Sequence, residues 1–296
     1  MGGAGLGREP TVKEALLWAV AVLRGAGLDD PRASAEILLS HALGVSRGRL
    51  LACGDDPLPL DKWEEFVGLV ERRRRRVPLP YILGSWEFMG LHFVVRPGVL
   101  APRPETETLV EAVMEELSDR GIRRPVIADI GTGCGAIAVS LAKYIEGAKV
   151  VAVDISPFCV EVAKENAERH GVLGRVEVLL GDLFEPLRER GLLEAFDVVC
   201  GNLPYVPREA IGRLQPEVGK FEPKVALDGG PEGRDLLTRA ALEAHKFVKK
   251  GGFCAWEFGA GQWPWVRTLL KSAPGVRRIG MRRDLSGRPR VALAFY

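Results

Sequence analysis

Ile127-Ala128-Asp129-Ile130 runs directly into Gly131-Thr132-Gly133-Cys134-Gly135, and the residues that follow have the composition of a buried helix. An apolar strand that empties into a glycine turn and then a helix opens a βα unit. Glycine lets the backbone turn sharply and approach a ligand closely, and the helix N-terminus adds polarity. From Pro125 onward the pattern repeats. Strand-like segments at 126–130, 149–154, 175–180 and 196–200 alternate with helix-like segments at 136–144 and 157–170. A helix is expected at 236–248 and late strands at 252–258 and 291–295. Alternation of this kind predicts an α/β fold with a doubly wound, mostly parallel sheet and helices on both faces.

The first part of the chain reads differently. With 296 residues, two domains are the natural expectation. Segments at 11–23, 31–43 and 60–76 have helical periodicity, with Thr11 and Glu14 spaced as a capping box. Residues 1–77 are therefore expected to form a small all-helical domain. Residues 78–100 follow as a β-hairpin linker, with Tyr81, Trp86, Phe88 and Phe93 spaced around Gly84 and Gly90. Residues 101–296 form the α/β domain, entered by a helix at 109–117 that Thr106 or a neighbour caps. Five consecutive arginines, Arg72 to Arg76, close the last helix of the first domain. They read either as a solvated helix C-terminus favoured by the macrodipole or as a contact patch for an acidic partner such as RNA.

Composition removes several classes. A net charge of +2 makes no case for a long nucleic-acid footprint. The five cysteines contain no CxxC pair, which argues against a zinc site and a disulfide framework and for a reducing cytoplasm. The glycine-rich N-terminus lacks the apolar core of a signal peptide, and Leu6 breaks the myristoylation pattern. The apolar stretch 15–23 is too short to span a bilayer.

Phe196-Asp197-Val198-Val199-Cys200 is followed by Gly201-Asn202-Leu203-Pro204-Tyr205. A polar turn at the C-terminal tip of an apolar strand sits where open α/β sheets place their ligands. Asn202 offers a side-chain carbonyl, the Leu203 backbone offers a second acceptor, and Pro204 stiffens the turn. Two acceptors on a rigid turn suit a planar –NH2 group held by both hydrogens.

The glycine turn and Asp154, about 20 residues further on at the end of the next strand, suit a nucleotide-like cofactor whose ribose hydroxyls the carboxylate accepts. Gly131-x-Gly133-x-x-Ala136 also satisfies a dinucleotide pattern, so a nicotinamide-dependent oxidoreductase is one alternative. Two features favour S-adenosylmethionine instead. Asp129 stands where a carboxylate would meet the ammonium of a methionine moiety, and the third glycine, Gly135, is unusual for a pyrophosphate loop. Asp182 would then accept from the adenine amino group, with Leu183 and Phe184 as apolar walls.

These segments together, DIGTGCGAIAVSLA, VDIS, GDLF and GNLPY in this order, resemble class I S-adenosylmethionine-dependent methyltransferases that modify planar nitrogens. VPLPYILGSWEFMGLHFVVRPGVLAPRPETETLVE, ALDGGPEG, GGFCAWEFGAGQ and DLSGRPRVALA resemble the protein-(glutamine-N5) methyltransferases of peptide chain release factors. The resemblance covers nearly the whole chain. It implies a Rossmann-like methyltransferase sheet, S-adenosyl-L-methionine as cofactor, and the glutamine of a Gly-Gly-Gln loop as substrate. A class-1 release factor in the cytoplasm is the implied partner, met by the helical domain. Cofactor contacts are expected at Asp129, Gly131, Thr132, Gly133, Cys134 and Gly135. Further contacts are expected at Asp154, Ile155, Asp182, Leu183, Phe184 and Asn202. Asn202, Leu203, Pro204 and Tyr205 are the expected catalytic set.

The family's usual tetrapeptide is Asn-Pro-Pro-Tyr; Leu203 keeps the carbonyl but adds an N–H and frees φ. Adenine also presents a planar –NH2, so a DNA adenine N6-methyltransferase is a second alternative, which would need a flipped base and a basic groove. A binding module inactivated through Leu203 is a third. Glu257, at the end of an apolar strand, and Trp263 and Trp265 read as structural, and His170 and His245 as surface or capping residues.

Overall fold

The computed structural model describes residues 9–296, so the reading of the glycine-rich N-terminus lies outside the described residues. The chain forms two compact units. One ends at Gly84 and also contains Pro216–Phe221; the other comprises Ser85–Gln215 and Glu222–Tyr296.

The first unit is helical. Helix α1 (Val12–Gly25) opens on a complete capping box, in which Thr11 Oγ1 accepts from the Glu14 amide and the Glu14 carboxylate accepts from the Thr11 amide. Its buried residues, Val12, Ala15, Ala19 and Leu23, recur at three- and four-residue spacing and form one face. Helix α2 (Pro31–Leu43) begins with Asp30 as cap and Pro31 in the first turn, and ends on Gly44 in the left-handed region. A short helix α3 (Arg47–Ala52), not evident from periodicity, precedes α4 (Leu60–Arg74). Leu38, Leu39, Phe66 and Val70 are fully buried where these helices meet. Burying a side chain as large as Phe66 contributes about 1.5–3 kcal/mol. Trp18 and Trp63 pack edge to face with centroids 4.8 Å apart.

The five arginines have intrachain partners. Arg72 donates to the Tyr81 and Ile82 carbonyls, and Arg73 to the Val77 carbonyl. Arg74 and Arg75 pair with Glu71. Arg73 and Arg76, both mostly buried, share Glu217 at 2.8 and 2.7 Å. The run thus ties the end of α4 to its own unit, which removes the main support for an acidic-partner patch.

Residues Leu79–Leu83 form helix α5, and the expected hairpin occupies β1 (Ser85–Phe88) and β2 (Leu91–Val94). In the second unit come α6 (Pro104–Asp119), β3 (Val126–Ile130), α7 (Ala136–Tyr144), β4 (Lys149–Asp154), α8 (Pro157–Arg169) and β5 (Val176–Leu180). After α9 (Glu185–Glu189) and β6 (Phe196–Gly201), the chain makes α10 (Pro216–Phe221) as part of the first unit. It finishes with α11 (Asp235–Glu243), β7 (Val248–Glu257), α12 (Trp263–Ser272), β8 (Arg278–Arg283) and β9 (Pro289–Phe295). The helix expected over 236–248 therefore ends at Glu243, and β7 begins where the helix was expected to finish.

The sheet has the order β5-β4-β3-β6-β7-β9-β8. Strands β3 to β7 are parallel, and β9 lies antiparallel to β7 and β8. Both faces are covered, so the central strands are apolar throughout rather than alternating with polar residues. Ile127, Val150 and Val198 join the core under α6, α7 and α8. Their strand neighbours Ala128, Val153 and Val199 join the opposite core under α11 and α12, which also takes in Trp263 and Trp265. The strand order reverses between β3 and β6, the switch point at which open α/β sheets bind ligands. No helix among the described residues is long and apolar enough to cross a membrane.

Candidate active site

A cleft of about 260 Å³ opens at the C-terminal ends of β3, β4 and β6. Its wall combines the two segments that the sequence singled out. Gly131, Thr132, Gly133 and Cys134 come from the turn after β3, Asp154 and Ile155 from the end of β4, and Asn202, Leu203 and Pro204 from the end of β6. Asp182 and Leu183 also line it.

The glycine turn is held by two carboxylates. Asp154 Oδ2 accepts from the Gly133 amide at 2.8 Å, and Oδ1 accepts from the Ser156 amide at 2.9 Å. Asp129 lies behind the turn, fully buried. Its Oδ2 accepts from the Thr132 hydroxyl at 2.7 Å and the Ala138 amide at 3.2 Å. Its Oδ1 is buried without a partner. Burial pushes this carboxyl up to about 7, against the pull of Thr132 and Ala138. A cation held at the turn would favour its ionised form.

Gly135 stands apart from the cleft. Its φ is +82°, and a Cβ there would meet the Ala163 backbone at 3.2 Å, so this glycine lets α7 pack close against α8. Gly131, by contrast, faces the turn after β6: a Cβ would meet Leu203 at 3.0 Å. Leu203 is itself buried in the core at this contact.

Adjacent residues in the GDLF segment point opposite ways. Leu183 adopts φ +47° and lines the cleft. Phe184 is turned into the core, stacked on Phe247 with centroids 4.6 Å apart and planes within 9°. The structure therefore puts Phe184 behind the adenine wall assigned to it. Asp182 is at the cleft but pairs with Arg239 at 2.6 Å.

The turn after β6 is held from several sides. Asn202 Nδ2 donates to Thr106 Oγ1 at 3.0 Å, and the Tyr205 hydroxyl donates to Glu257 Oε1 at 3.2 Å. Gln262 Nε2 donates to the carbonyls of Tyr205 and Gly233, both at 3.1 Å. Thr106 is not the cap of its helix, since Arg103 holds that position. It sits in the first turn of α6, almost fully buried at the cleft. Glu257 is 1% exposed, and burial pushes its carboxyl up to about 7 while Thr106 and Tyr205 pull it down. Arg103 lines the cleft and pairs with buried Glu222, next to Pro223, Val225 and Ala226 of the same wall. Thr106, Gln262 and Arg103 were not singled out as site residues. Glu257, read as structural, touches the tyrosine of the turn.

A carboxylate for ribose hydroxyls, exposed Ile155 and buried Leu183 for an adenine ring, and the partnerless Asp129 oxygen near the turn fit S-adenosylmethionine. Fold and cleft together define a Rossmann-like, S-adenosylmethionine-dependent methyltransferase. A methyltransferase domain family matches residues 125–257, and the PrmC N-terminal domain family matches residues 14–84. The release factor glutamine methyltransferase of Moorella thermoacetica is 41% identical over 96% of this chain and 98% of its own. That of Geobacter sulfurreducens is 42% identical over 85% of each. Among solved structures, the hMettl16 catalytic domain bound to a MAT2A 3′UTR hairpin shares the fold, with a TM-score of 0.54 at 17% identity over 79% of this chain and 81% of that one. The chain belongs to the release factor glutamine methyltransferases.

Proposed function

We propose that this enzyme transfers the methyl group of S-adenosylmethionine to the side-chain amide nitrogen, N5, of the glutamine in the Gly-Gly-Gln loop of class-1 release factors. The observation that carries the reading is the shared wall: Asn202, Leu203 and Pro204 line the same cleft as the glycine turn and Asp154. When bound, S-adenosylmethionine supplies an electrophilic methyl group. Asp154, Ile155, Leu183 and the Gly131–Gly133 backbone hold that cofactor.

An amide nitrogen is a weak nucleophile because its lone pair is delocalised. Asn202 Oδ1 and the Leu203 carbonyl accept the two amide hydrogens, which fixes the –NH2 plane, and positioning supplies much of the rate. The same acceptors stabilise positive charge developing on nitrogen. Pro204 and Tyr205 shape the wall around the glutamine side chain. The helical unit recognises the intact factor, and such a substrate places the enzyme in the cytoplasm.

Incubation with radiolabelled S-adenosylmethionine and either recombinant release factor or duplex DNA tests the reading. Label on the Gly-Gly-Gln peptide supports it; label on adenine alone overturns it.

A further inference from the structure

A turn presents two acceptors in one plane only if its backbone is fixed at both ends. The turn Asn202 to Tyr205 is fixed at its entrance by the sheet, where Gly201 pairs with Trp256 across β6 and β7. Its exit leaves the sheet and needs an anchor of its own. A Pro at position 203 would lock one φ angle within the turn, and Leu203 does not.

Gln262 holds the exit. It is the N-cap residue of α12, yet its side chain caps nothing in that helix. Instead Oε1 accepts from the Gly259 amide at 2.8 Å, and Nε2 donates to the carbonyls of Tyr205 and Gly233, both at 3.1 Å. All these partners are backbone groups, each fixed as donor or acceptor, so the amide fits in one orientation only. The segments that carry the two carbonyls lie in close contact, since a Cβ at Gly233 would meet the Tyr205 oxygen at 2.3 Å. Val206 is tied to the same loop: its amide donates to the Leu227 carbonyl and its carbonyl accepts from the Gly229 amide, both at 3.0 Å. Backbone bonds thus hold Val206, while the Tyr205 carbonyl, just beyond Leu203, is held by the NH2 group of Gln262. An acceptor left without its donor here would force the turn to shift.

We propose that Gln262 is a positioning residue for methyl transfer: its NH2 group anchors the Tyr205 carbonyl and so fixes the plane in which Asn202 and Leu203 present their acceptors. Because Leu203 leaves φ free, this anchor supplies rigidity that the sequence of the turn itself lacks. The proposal rests on the reading of Asn202 and Leu203 as acceptors of the glutamine amide. Gln262 lies outside the wall of the cleft, so it acts through the turn rather than on cofactor or substrate.

The test is a set of variants in the full-length enzyme, assayed with intact release factor for kcat and KM and by calorimetry for S-adenosylmethionine affinity. Gln262→Glu keeps the length of the side chain and the acceptor for Gly259, but it turns a second oxygen toward the two carbonyls. A misplacement of about 1 Å can cost about a hundredfold, and kcat should fall roughly tenfold or more. KM and cofactor affinity should stay close to those of the parent, which also reports that the variant is folded. Gln262→Met fills the space without an amide and should be slow as well. In a Leu203→Pro background, Gln262→Glu should lower kcat by a smaller factor, because the ring then fixes φ at position 203.

A parent-like kcat for Gln262→Glu overturns the proposal, since that variant lacks only the donors. So does a cofactor affinity that falls as far as kcat, which marks a general loss of structure. A Gln262→Glu factor that is the same with Leu and with Pro at position 203 overturns it too. If Asn202→Ala itself turns over at the parent rate, the reading of the turn as acceptor fails. If Asn202→Ala is slow while Gln262→Glu is not, only the positioning role fails.

Discussion

Asp154 and Gly133 are joined by a 2.8 Å hydrogen bond from the glycine amide to Oδ2, so the carboxylate that ends β4 also braces the turn that ends β3. One side chain thereby braces the glycine turn and offers its remaining lone pairs to the cleft.

Asp154→Ala removes both services. Hydrogen bonds to a charged acceptor contribute about 1.5–3 kcal/mol each, so S-adenosylmethionine affinity should fall by at least about tenfold. Calorimetric titration checks this; an unchanged affinity would place the ribose elsewhere.

Asn202→Ala should lower turnover about a hundredfold, or roughly 2.7 kcal/mol of barrier, with cofactor affinity nearly unchanged. Asn202→Asp keeps an acceptor but buries charge, and should fall between Ala and Asn. Steady-state kinetics on a short glutamine peptide reads both, since the peptide does not require recognition of the whole factor.

Glu257 should make the stability of the fold sensitive to pH near neutrality. Glu105 from α6, Tyr205 after β6 and Arg290 from β9 surround it, and burial raises its carboxyl from an ordinary 4.5 to about 7. The folded chain binds this proton more tightly than the unfolded chain does, so the contribution is complete below about pH 4.5 and is lost as pH rises through about 7. Asp129, also raised to about 7, carries the same sign. Glu257→Gln removes part of that slope, and its melting temperature relative to the parent should be higher at about pH 8 than at about pH 5. A pH-independent difference in melting temperature would contradict the assignment.

Leu183 and Phe184 should separate cleanly on mutation. Phe184→Ala removes a buried ring stacked on Phe247 and should cost about 3–5 kcal/mol of stability in a denaturant titration. Leu183→Ala should leave stability less affected and weaken cofactor binding, because Leu183 faces the cleft. The reverse pattern would mean that the two side chains exchange places in solution.

Those two residues also show where reading the chain alone runs out. Side-chain direction in GDLF turns on a single positive φ at Leu183, and no residue type there announces it. The glycine turn, Asp154 and Asn202 were legible because each sits at a strand end within a short local pattern. Thr106 and Glu257 were not. Thr106 lies 96 positions from Asn202, and only the order of the strands and the placement of α6 bring Thr106 to Asn202 and Glu257 to Tyr205. Strand β8 escaped notice for a related reason: Arg278–Arg283 is an edge strand of half-buried and exposed residues with three arginines, so it carries little apolar signal. Helices α2 and α7 were placed to the residue, because Pro31 and Gly44 bracket one and the glycine turn opens the other.

The assignment of Pro216–Phe221 to the helical unit means that the chain passes between the two units three times: after Gly84, after Gln215 and after Phe221. A module joined at one point can be cut out or grafted as a cassette. This one cannot, because Glu217, the counter-charge of Arg73 and Arg76, is encoded far downstream, within the stretch that follows the turn after β6. A chimaera that exchanges only the first 84 residues would separate two guanidinium groups from their carboxylate. Inheritance of the helical unit is thus bound to inheritance of a short insert in the catalytic half, and the two should change together or not at all.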